Sequence, residues 1–321
     1  NVLYVGGNGP DNYTSIQQAI NDGNDGDTII VYPGNYKENI IVYKELKIVG
    51  IDYPVIEAEN RSKDAVKIIA SNCAIEGFKI TNGQNGIKIR SHENEIRNNI
   101  LTENNYSGIY IKDSSNIVAS ENTFQGNSYC GVYMRNCDRI SLFKNNFSST
   151  GHGISGSSIT NCEIMNNNFL EGDTAIQVNP VSFNCKIYGN EIKSYSIGIS
   201  NEGPNLIYHN NIISNTKGIF CLGTWETKAQ IYGNNITNNK HGISLMNIWL
   251  GNVEIRRNNF IGNKTHAEFV DAYFILWYEN YWDDWKIPLP KPIFGLNGWG
   301  FIPWFQFDWH PLMQPYEWWK K

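Results

Sequence analysis

A short unit recurs along most of this chain and constrains its fold more than any other feature. From about residue 75 to residue 270, a Gly-Ile or Gly-Val pair returns every 20 to 24 residues. Between most of these pairs stands Asn-Asn followed by Phe or Ile. Repeats of this length indicate a solenoid, in which each unit packs on its neighbours. The pairs begin at Gly86, Gly108, Gly131, Gly153, Gly198, Gly218 and Gly242, and Ala175 fills the one gap.

The pattern inside each unit predicts short strands rather than helices. Residues 108–111 read Gly-Ile-Tyr-Ile, with apolar side chains at every second place, which is the period of a strand. No unit holds an amphipathic helix, which excludes ankyrin and tetratricopeptide arrays, and a propeller blade needs about 40 residues. A unit of this length is one turn of a parallel β-helix. The fold class is therefore all-β, a single-stranded parallel β-helix solenoid of roughly ten or eleven coils.

Asparagine is unusually frequent in this chain, with 45 residues of this type. Asparagine is depleted in strands but tolerates the left-handed conformation at corners. Its side-chain amide can also bond to the asparagine one rung away, because rungs of a parallel sheet lie about 4.8 Å apart. The composition thus predicts many corners and stacked asparagines.

The pattern divides the chain into three parts. Residues 1–27 form an N-terminal strand and a capping helix, in which Thr14 or Ser15 is the N-cap and Ile16, Ala19 and Ile20 face the first coil. Such a cap is expected because the open end of a solenoid exposes strand edges. Residues 28–272 form the β-helix, and residues 273–321 form an aromatic and proline-rich C-terminal cap.

This C-terminal part is rich in aromatic residues, which make up 17 of its 49 positions. One interpretation is a cap that wraps the solenoid and buries these rings. The other is an exposed platform for sugar rings or a neighbouring subunit, since Trp and Tyr offer an apolar face with a polar handle. The platform candidates are Trp282, Trp285, Trp299, Trp304 and Trp309.

Charge and hydropathy exclude two classes of partner. The net charge is −5, whereas nucleic-acid binding needs a basic patch to neutralise phosphates. No run of 18 apolar residues exists, so no membrane span is expected. The chain starts directly on a strand without a signal peptide, as expected of a secreted protein after cleavage. We therefore expect an extracellular or cell-surface location.

Two covalent features fit that location. Cys162 and Cys185 each precede the strand isoleucine of consecutive units by two residues, so they stack one rung apart, within the Cα separation of a disulfide. The alternatives are a Cys162–Cys185 disulfide and two buried thiols that fill the core. Six glycosylation sequons are also present. They begin at Asn12, Asn60, Asn105, Asn146, Asn235 and Asn263.

The N-terminal sequence resembles a known family. The segments 5–10 (Val-Gly-Gly-Asn-Gly-Pro), 13–20 (Tyr-Thr-Ser-Ile-Gln-Gln-Ala-Ile) and 32–39 (Tyr-Pro-Gly-Asn-Tyr-Lys-Glu-Asn) are similar to secreted NosD-like right-handed parallel β-helix proteins, which are abundant in archaea and have a pectin-lyase-like fold. The segments 280–282 and 307–311 look like the C-terminal signature of archaeal members. The resemblance implies a right-handed β-helix exported to the cell surface. It leaves activity open, because this fold serves lyases, hydrolases, epimerases and envelope proteins.

Catalytic signatures of this fold are incomplete in the sequence. Gly151-His152-Gly153 is similar to the third motif of polygalacturonases, but the acids expected on the two preceding coils are absent, and glycosidases need such carboxylates. The Asp-Pro-His motif of alginate epimerases is also absent. We therefore assign no catalytic residue. Two basic groups could still line a solenoid face as a lyase would require. The first group contains Lys88, Arg90, His92 and Arg97. The second contains Arg135, Arg139 and Lys144, together with Asp138.

Metal and cofactor signatures are weak. The six histidines are scattered without a pair at ligand spacing, which disfavours copper. Asp283 and Asp284 could bind calcium together with nearby carbonyl oxygens, or they could serve hydrogen bonding in the cap. No nucleotide-binding signature or catalytic triad is present, and no cofactor is expected.

The sequence therefore favours a non-catalytic extracellular cell-surface β-helix protein. It would be a structural or adhesive envelope component, with self-assembly and glycosylation as further expectations. The expected partners are a cell-envelope polymer, like subunits or a polysaccharide. The alternatives are a polysaccharide lyase or other carbohydrate-active enzyme, and a carbohydrate-binding module.

Overall fold

The computed structural model describes residues 1–223, 228–249 and 253–318. The chain divides into two compact units, Asn1–Ser155 and Gly156–Lys321. Both are built from short strands that pair in parallel from one coil to the next, and the one helix among the described residues lies in the first unit. The all-β parallel solenoid is confirmed. It has about 13 turns rather than ten or eleven, because the parallel coils continue past residue 272, where the sequence count stopped.

The first unit contains the helix α1 (Ile16–Asp22) and strands of three to fifteen residues. The last strand, β16, continues into the second unit. The strands are β1 (Val2–Val5), β2 (Asp27–Val31), β3 (Asn35–Lys37), β4 (Ile40–Val42), β5 (Leu46–Gly50), β6 (Val55–Glu57), β7 (Val66–Ile68), β8 (Ala74–Glu76), β9 (Lys79–Thr81), β10 (Asn85–Ile89), β11 (Glu95–Arg97), β12 (Ile100–Thr102), β13 (Ser107–Ser120), β14 (Thr123–Gln125), β15 (Cys130–Phe143) and β16 (Asn146–Thr160).

The second unit follows the same plan until its last two strands, which form an antiparallel hairpin. Its strands are β17 (Glu163–Met165), β18 (Asn168–Val178), β19 (Lys186–Tyr188), β20 (Glu191–Asn201), β21 (Leu206–Tyr208), β22 (Asn211–Ile213), β23 (Lys217–Leu222), β24 (Gln230–Tyr232), β25 (Asn235–Thr237), β26 (His241–Ile248), β27 (Glu254–Arg256), β28 (Asn259–Ile261), β29 (Thr265–Ala272), β30 (Leu276–Tyr278), β31 (Tyr281–Trp282), β32 (Lys291–Asn297) and β33 (Ile302–Asp308).

Stacks of apolar side chains form the core of each unit. In-register parallel pairing places like residues over like, and every member of the two stacks given below is buried. Burial of each isoleucine contributes about 1.5–3 kcal/mol. The stacks run through Ile29, Ile48, Ile75, Ile96, Ala119 and Leu142 in the first unit, and through Ile164, Ile187, Ile207, Ile231, Ile255 and Trp277 in the second.

Asparagine ladders line the corners, as the composition predicts. In the first unit the Asn122 amide donates to the side-chain oxygen of Asn145 at 3.1 Å and accepts from Asn99. In the second unit a longer ladder ends at Asp308, whose carboxylate accepts from the side-chain and backbone nitrogens of Asn280. A carboxylate suits this last position because it only accepts hydrogen bonds. The longer ladder runs through Asn167, Asn190, Asn210, Asn234, Asn258 and Asn280.

The N-terminal helix caps the first unit in the predicted way. Ser15 is the N-cap, and its hydroxyl accepts from the backbone of Gln18 at 3.3 Å. The Glu38 carboxylate accepts from the Ser15 hydroxyl and from the first backbone N–H groups of the helix. Ile16, Ala19 and Ile20 are fully buried, as the sequence pattern predicts.

The parallel ladder extends beyond residue 272, where the repeat ends in the sequence. Strand β30 pairs in parallel with β27, and β31 pairs with β28. Trp277 and Trp282 continue core stacks that isoleucine and phenylalanine occupy in earlier coils. The change of residue type hides these coils in the sequence, since aromatic side chains can fill the same core positions.

Candidate functional site

A cavity of about 510 Å³ lies in the second unit beside β29 and the start of β32. Its polar lining is formed by His266 from β29, by the acidic pair Asp283 and Asp284 that follows β31, and by Lys291 from β32. Phe294 and Trp282 contribute to its apolar lining. The two aspartates that the sequence singles out therefore lie in a lined cavity.

His266 lies deep in this cavity, with a side chain only 9% exposed. Its Nε2 lies 2.8 Å from Asp283 Oδ1, and its Nδ1 lies 3.2 Å from the side-chain nitrogen of Asn263. The asparagine ladder fixes the amide of Asn263, because its oxygen accepts from Asn239. Its nitrogen must therefore donate to Nδ1, which places the imidazole proton on Nε2, facing Asp283.

Each aspartate already has partners of its own. Asp283 Oδ2 accepts from the backbone N–H of Gly262 at 2.7 Å. Asp284 Oδ2 accepts from Lys291 Nζ at 2.8 Å, while its Oδ1 lies 3.5 Å from His266 Nε2. Burial lowers the pKa of His266, and the two aspartates oppose that change. The cluster is therefore a hydrogen-bonded network built around a neutral histidine.

The same three side chains form a group with metal-binding geometry. His266, Asp283 and Asp284 each offer one atom, and these atoms lie within 4.8 Å of one another. One imidazole and two carboxylates suit a transition metal better than calcium, which takes six to eight oxygens. The proton on Nε2 disfavours metal binding, because a metal needs an unprotonated ring nitrogen. If this proton moved to Nδ1, it would face the amide N–H of Asn263, which is also a donor. The residues present therefore fit ion pairing and proton exchange better than metal binding, and calcium at Asp283 and Asp284 stays a prediction.

Sequence reasoning missed two members of this cluster. His266 and Lys291 are separated from the aspartates by many residues, and neither belongs to a motif. The available signal was the repeat itself, because the coil that contains Thr265 precedes the coil of Asp283 by one turn. Because Phe260 pairs with Trp282, following the repeat past residue 272 would have placed Asp283 and Asp284 in the coil next to the one that holds His266.

The hairpin of β32 and β33 exposes an apolar surface. Every residue from Ile302 to Phe305 is exposed. Phe294 and Phe305 pair across the hairpin, with ring centroids 5.6 Å apart, and the connecting turn exposes 85% of Phe301. Large exposed apolar patches usually mark interaction sites. We call this surface, formed by Phe294, Trp299 and residues 301–307, the hairpin surface.

The structure separates the five tryptophan candidates. Trp299, Trp304 and Trp309 are 81%, 51% and 62% exposed. Trp285 is half-buried, with its ring 5.1 Å from the Lys291 ammonium. The proposed platform role of Trp282 is wrong, because this side chain is fully buried and stacks on a phenylalanine of the previous coil. The tail thus combines buried and exposed tryptophans, and the platform role of Trp299, Trp304 and Trp309 stays a prediction.

Cys162 and Cys185 are both buried. The Cys162 thiol lies 3.2 Å from the carbonyl oxygen of Thr160, and the Cys185 thiol lies 3.7 Å from the carbonyl oxygens of Ile159 and Phe183. The strand residues that follow them, Glu163 and Lys186, pair in register. The predicted stacking one rung apart is therefore present, and the disulfide stays a prediction.

Three sequon asparagines are exposed, namely Asn60, Asn105 and Asn146. Asn60 and Asn105 lie near each other, because the Asn105 amide donates to the carbonyl oxygen of Arg61 at 3.1 Å. All three lie in the first unit. Their side chains can be reached by a modifying enzyme on the folded chain.

The other three sequon asparagines are less accessible. Asn12 is half-buried and donates to the carbonyl oxygen of Gly6, and Asn235 is half-buried and accepts from Asn259. Asn263 is buried, and its amide nitrogen donates to the carbonyl oxygen of Ile236 at 2.7 Å. The folded chain does not offer Asn263 for glycosylation, because that nitrogen belongs to the ladder.

Comparison with known families identifies part of the chain. Residues 68–194 match the family described as "Right handed beta helix region". The match covers fewer than half of the 321 residues, and over that part the chain is similar to the family. The match agrees with the parallel coils of the structure.

One similar protein is described as a protein of the cell surface. A "Cell surface glycoprotein" of the archaeon Methanothermus fervidus is 47% identical over 77 residues. The match covers 23% of this chain and 13% of that relative's length. The likeness is therefore strong over a short stretch, and most of the relative lies outside it.

Solved structures share the fold of this β-helix at low sequence identity. The A-module of a mannuronan C-5 epimerase from Azotobacter vinelandii has a TM-score of 0.68 at 14% identity, covering 83% of this chain and 87% of that one. A lacto-N-biosidase from Eubacterium ramulus has a TM-score of 0.58 at 13% identity, covering 86% and 67%. The Dettilon tailspike protein has a TM-score of 0.56 at 14% identity, covering 88% and 66%. These likenesses show the fold alone.

Within the residues that the structure describes, none of the helices has the length and apolar character needed to cross a membrane.

Proposed function

We propose that this β-helix is a non-catalytic structural or adhesive component of a cell surface, located outside the cell. The observation that carries the proposal is the 47% identity to a cell surface glycoprotein. The exposed sequons Asn60, Asn105 and Asn146 support it, because they can be modified on the folded chain. The structural neighbours include carbohydrate-active enzymes, and they argue for the fold and not for a reaction.

The hairpin surface supports association with like subunits. Along residues 302–307 of the described chain, β33 pairs with β32 on one side only, so its other edge offers unpaired N–H and C=O groups. An exposed edge strand is a template for pairing with another chain. The side chains beside this edge are apolar, including Ile302, Trp304 and Phe305, so pairing would also remove apolar area from water.

Sedimentation velocity of the purified chain tests assembly through this surface. We expect the wild type to form larger species as its concentration rises, and the double substitution Trp304→Ser/Phe305→Ser to remain monomeric. The matched control is Phe274→Ser/Leu276→Ser, which removes two other exposed apolar side chains of the same unit. A monomeric wild type at high concentration, or equal loss of assembly in the control, would contradict the assembly proposal.

A second candidate function is a carbohydrate-active enzyme. The cavity around His266, Asp283 and Asp284 favours it, because a histidine hydrogen-bonded to a carboxylate can exchange protons with a substrate. Incubation with uronate polymers, followed by ultraviolet absorbance of an unsaturated product, tests lyase activity. Activity that is lost in His266→Gln would replace the non-catalytic proposal.

A further inference from the structure

Four tyrosines form a continuous aromatic surface on one sheet of the first unit. Tyr110 in β13 and Tyr133 in β15 are register partners, one coil apart. Their side chains point outward, because the strand residues on either side of each are buried. Tyr106 and Tyr129 precede these strands, and the backbone N–H of Tyr129 donates to the carbonyl oxygen of Tyr106. We call these four residues the tyrosine face.

The rings of the tyrosine face are arranged in two stacked pairs. The centroids of Tyr106 and Tyr129 are 4.7 Å apart with nearly parallel rings, and those of Tyr110 and Tyr133 are 5.1 Å apart. The two pairs meet edge to face, with Tyr106 and Tyr133 centroids 6.0 Å apart. All four side chains are half-buried. Stacking covers one face of each ring within its pair, while part of each side chain stays exposed to solvent.

The phenol groups act as hydrogen-bond donors at neutral pH. Burial raises the pKa of Tyr106 to about 12, and the neighbouring phenols add to this effect. Burial also raises the pKa of Tyr110 and Tyr129. These hydroxyls therefore stay protonated and can donate to the oxygens of a ligand.

Basic side chains surround the tyrosine face. Lys88 occupies the register position one coil before Tyr110, and its ammonium lies 5.5 Å from that ring. Lys112 and Arg135 are register partners two residues beyond Tyr110 and Tyr133. No carboxylate lies within 4.0 Å of the Arg135 guanidinium among the residues described.

Two carboxylates only partly neutralise this basic region. Asp64 lies 3.5 Å from Lys88, and Asp113 is shared between Arg90 at 3.4 Å and Lys112 at 3.8 Å. With Lys67 on the same register line as Lys88, five cations face two carboxylates. A locally positive surface on a chain of net charge −5 attracts an anionic ligand.

We propose that the tyrosine face and its surrounding cations bind an acidic polysaccharide of the uronate type. Sugar rings would pack against the exposed parts of the tyrosine rings, while sugar hydroxyl groups accept from the phenols. Carboxylates of the polymer would pair with Lys88, Lys112 and Arg135, since guanidinium groups bind carboxylates in a bidentate manner. Successive rungs are about 4.8 Å apart, close to the length of one sugar unit, so an extended polymer can contact several coils.

Isothermal titration calorimetry of the full chain with hexagalacturonate tests this inference, with uncharged maltohexaose as the comparison ligand. We expect binding of hexagalacturonate alone, and weakening by at least about tenfold in Lys112→Ala/Arg135→Ala. Tyr133→Leu keeps an apolar side chain but removes the ring, and it should also weaken binding. The matched control is Lys79→Ala, an exposed lysine on a different sheet of the same unit, and it should bind like the wild type. Circular dichroism verifies the fold of each variant.

Three results would overturn the inference. These are absence of hexagalacturonate binding by the wild type, equal weakening in Lys79→Ala, and equal binding of maltohexaose. Ultraviolet absorbance measured on the same samples separates this inference from the proposed function. Cleavage of hexagalacturonate would contradict the non-catalytic role and leave binding at the tyrosine face standing.

Discussion

A buried asparagine in this β-helix satisfies several backbone and side-chain groups at once. The amide nitrogen of Asn122 donates to the carbonyl oxygen of Ile96 at 2.8 Å and to the next rung. Its oxygen accepts from the backbone and side-chain nitrogens of Asn99. Loss of this side chain leaves buried partners without hydrogen bonds, which costs about 1–3 kcal/mol for each group.

Replacement of Asn122 by alanine tests the ladder. We expect Asn122→Ala to lower the free energy of unfolding by about 2–4 kcal/mol, because at least two buried groups lose their partners. The control Asn146→Ala replaces an exposed asparagine of the same unit. It should change the free energy of unfolding by less than about 0.5 kcal/mol. Denaturant titrations measure both. Equal effects in the two variants would show that the ladder does not stabilise the fold.

The buried histidine of the cavity makes stability depend on pH. Burial lowers the pKa of His266 in the folded chain, so the unfolded chain takes up a proton first as the pH falls below about 6.5. Stability is therefore fully present above that pH and decreases as the pH falls toward the lower folded value. His209, whose pKa is also lowered by burial, contributes in the same direction.

Thermal melts between pH 8 and pH 5 test this effect. We expect the wild type to lose melting temperature over this range and His266→Gln to lose less, since glutamine does not titrate. His209→Gln is the comparison variant, and it should remove only its own part. A pH dependence that is unchanged in His266→Gln would show that this imidazole is not held neutral by the fold.

Among the elements, the N-terminal helix depends on a distant carboxylate. The Glu38 carboxylate accepts from the backbone nitrogens of Ile16 and Gln17 at 2.9 and 3.0 Å. The first N–H groups of a helix have no partner within the helix, and the positive end of its dipole favours a negative charge. The sequence predicts the helix, with Thr14 or Ser15 as its N-cap, but it does not reveal Glu38, which approaches through the coil that follows.

Replacement of Glu38 by alanine tests this contact. We expect Glu38→Ala to lower the free energy of unfolding by about 1–2 kcal/mol, as loss of an N-cap does. The helix amides should also exchange hydrogen faster, because the end of the helix loosens. Glu59→Ala, at an exposed position of the same unit, is the control. Unchanged exchange in the helix of Glu38→Ala would contradict the capping role.

In the C-terminal part of the chain, composition alone does not predict which aromatic side chains are buried and which are exposed. The aromatic tail predicts either burial or exposure, and both occur within a few residues. Trp282 fills a core position over Phe260 because β31 pairs with β28, whereas Trp304 lies on the outer strand of the hairpin and is half exposed. Only the position of each residue in its coil distinguishes these two tryptophans. That position can be read from the sequence only as far as the Gly-Ile pairs extend.

At the scale of the whole molecule, the repeat predicts the solenoid and most of its core. Gly-Ile pairs and Asn-Asn corners specify where strands begin and end, and a strand period of two specifies which side chains point inward. The repeat cannot show which sequon asparagines stay accessible for glycosylation in the folded chain. Asn263 and Asn146 carry the same motif, yet a ladder buries the first and a strand exposes the second.

Glycopeptide mass spectrometry of material from the native cell tests this difference. We expect glycans on Asn60 and Asn146, which are exposed, and none on Asn263, whose amide nitrogen is used by the ladder. The same digest reports all sites, so the unmodified peptide of Asn263 serves as the internal control. A glycan on Asn263 would require modification before folding and would contradict the accessibility argument.

Labelling of intact cells tests the proposed surface location most directly. A membrane-impermeant amine reagent should modify exposed lysines of this chain, such as Lys144, whose side chain is 63% exposed. The proposed function predicts the same extent of labelling in intact and in lysed cells, with a known cytoplasmic protein labelled only after lysis. Labelling of this chain only after lysis would contradict a cell-surface role.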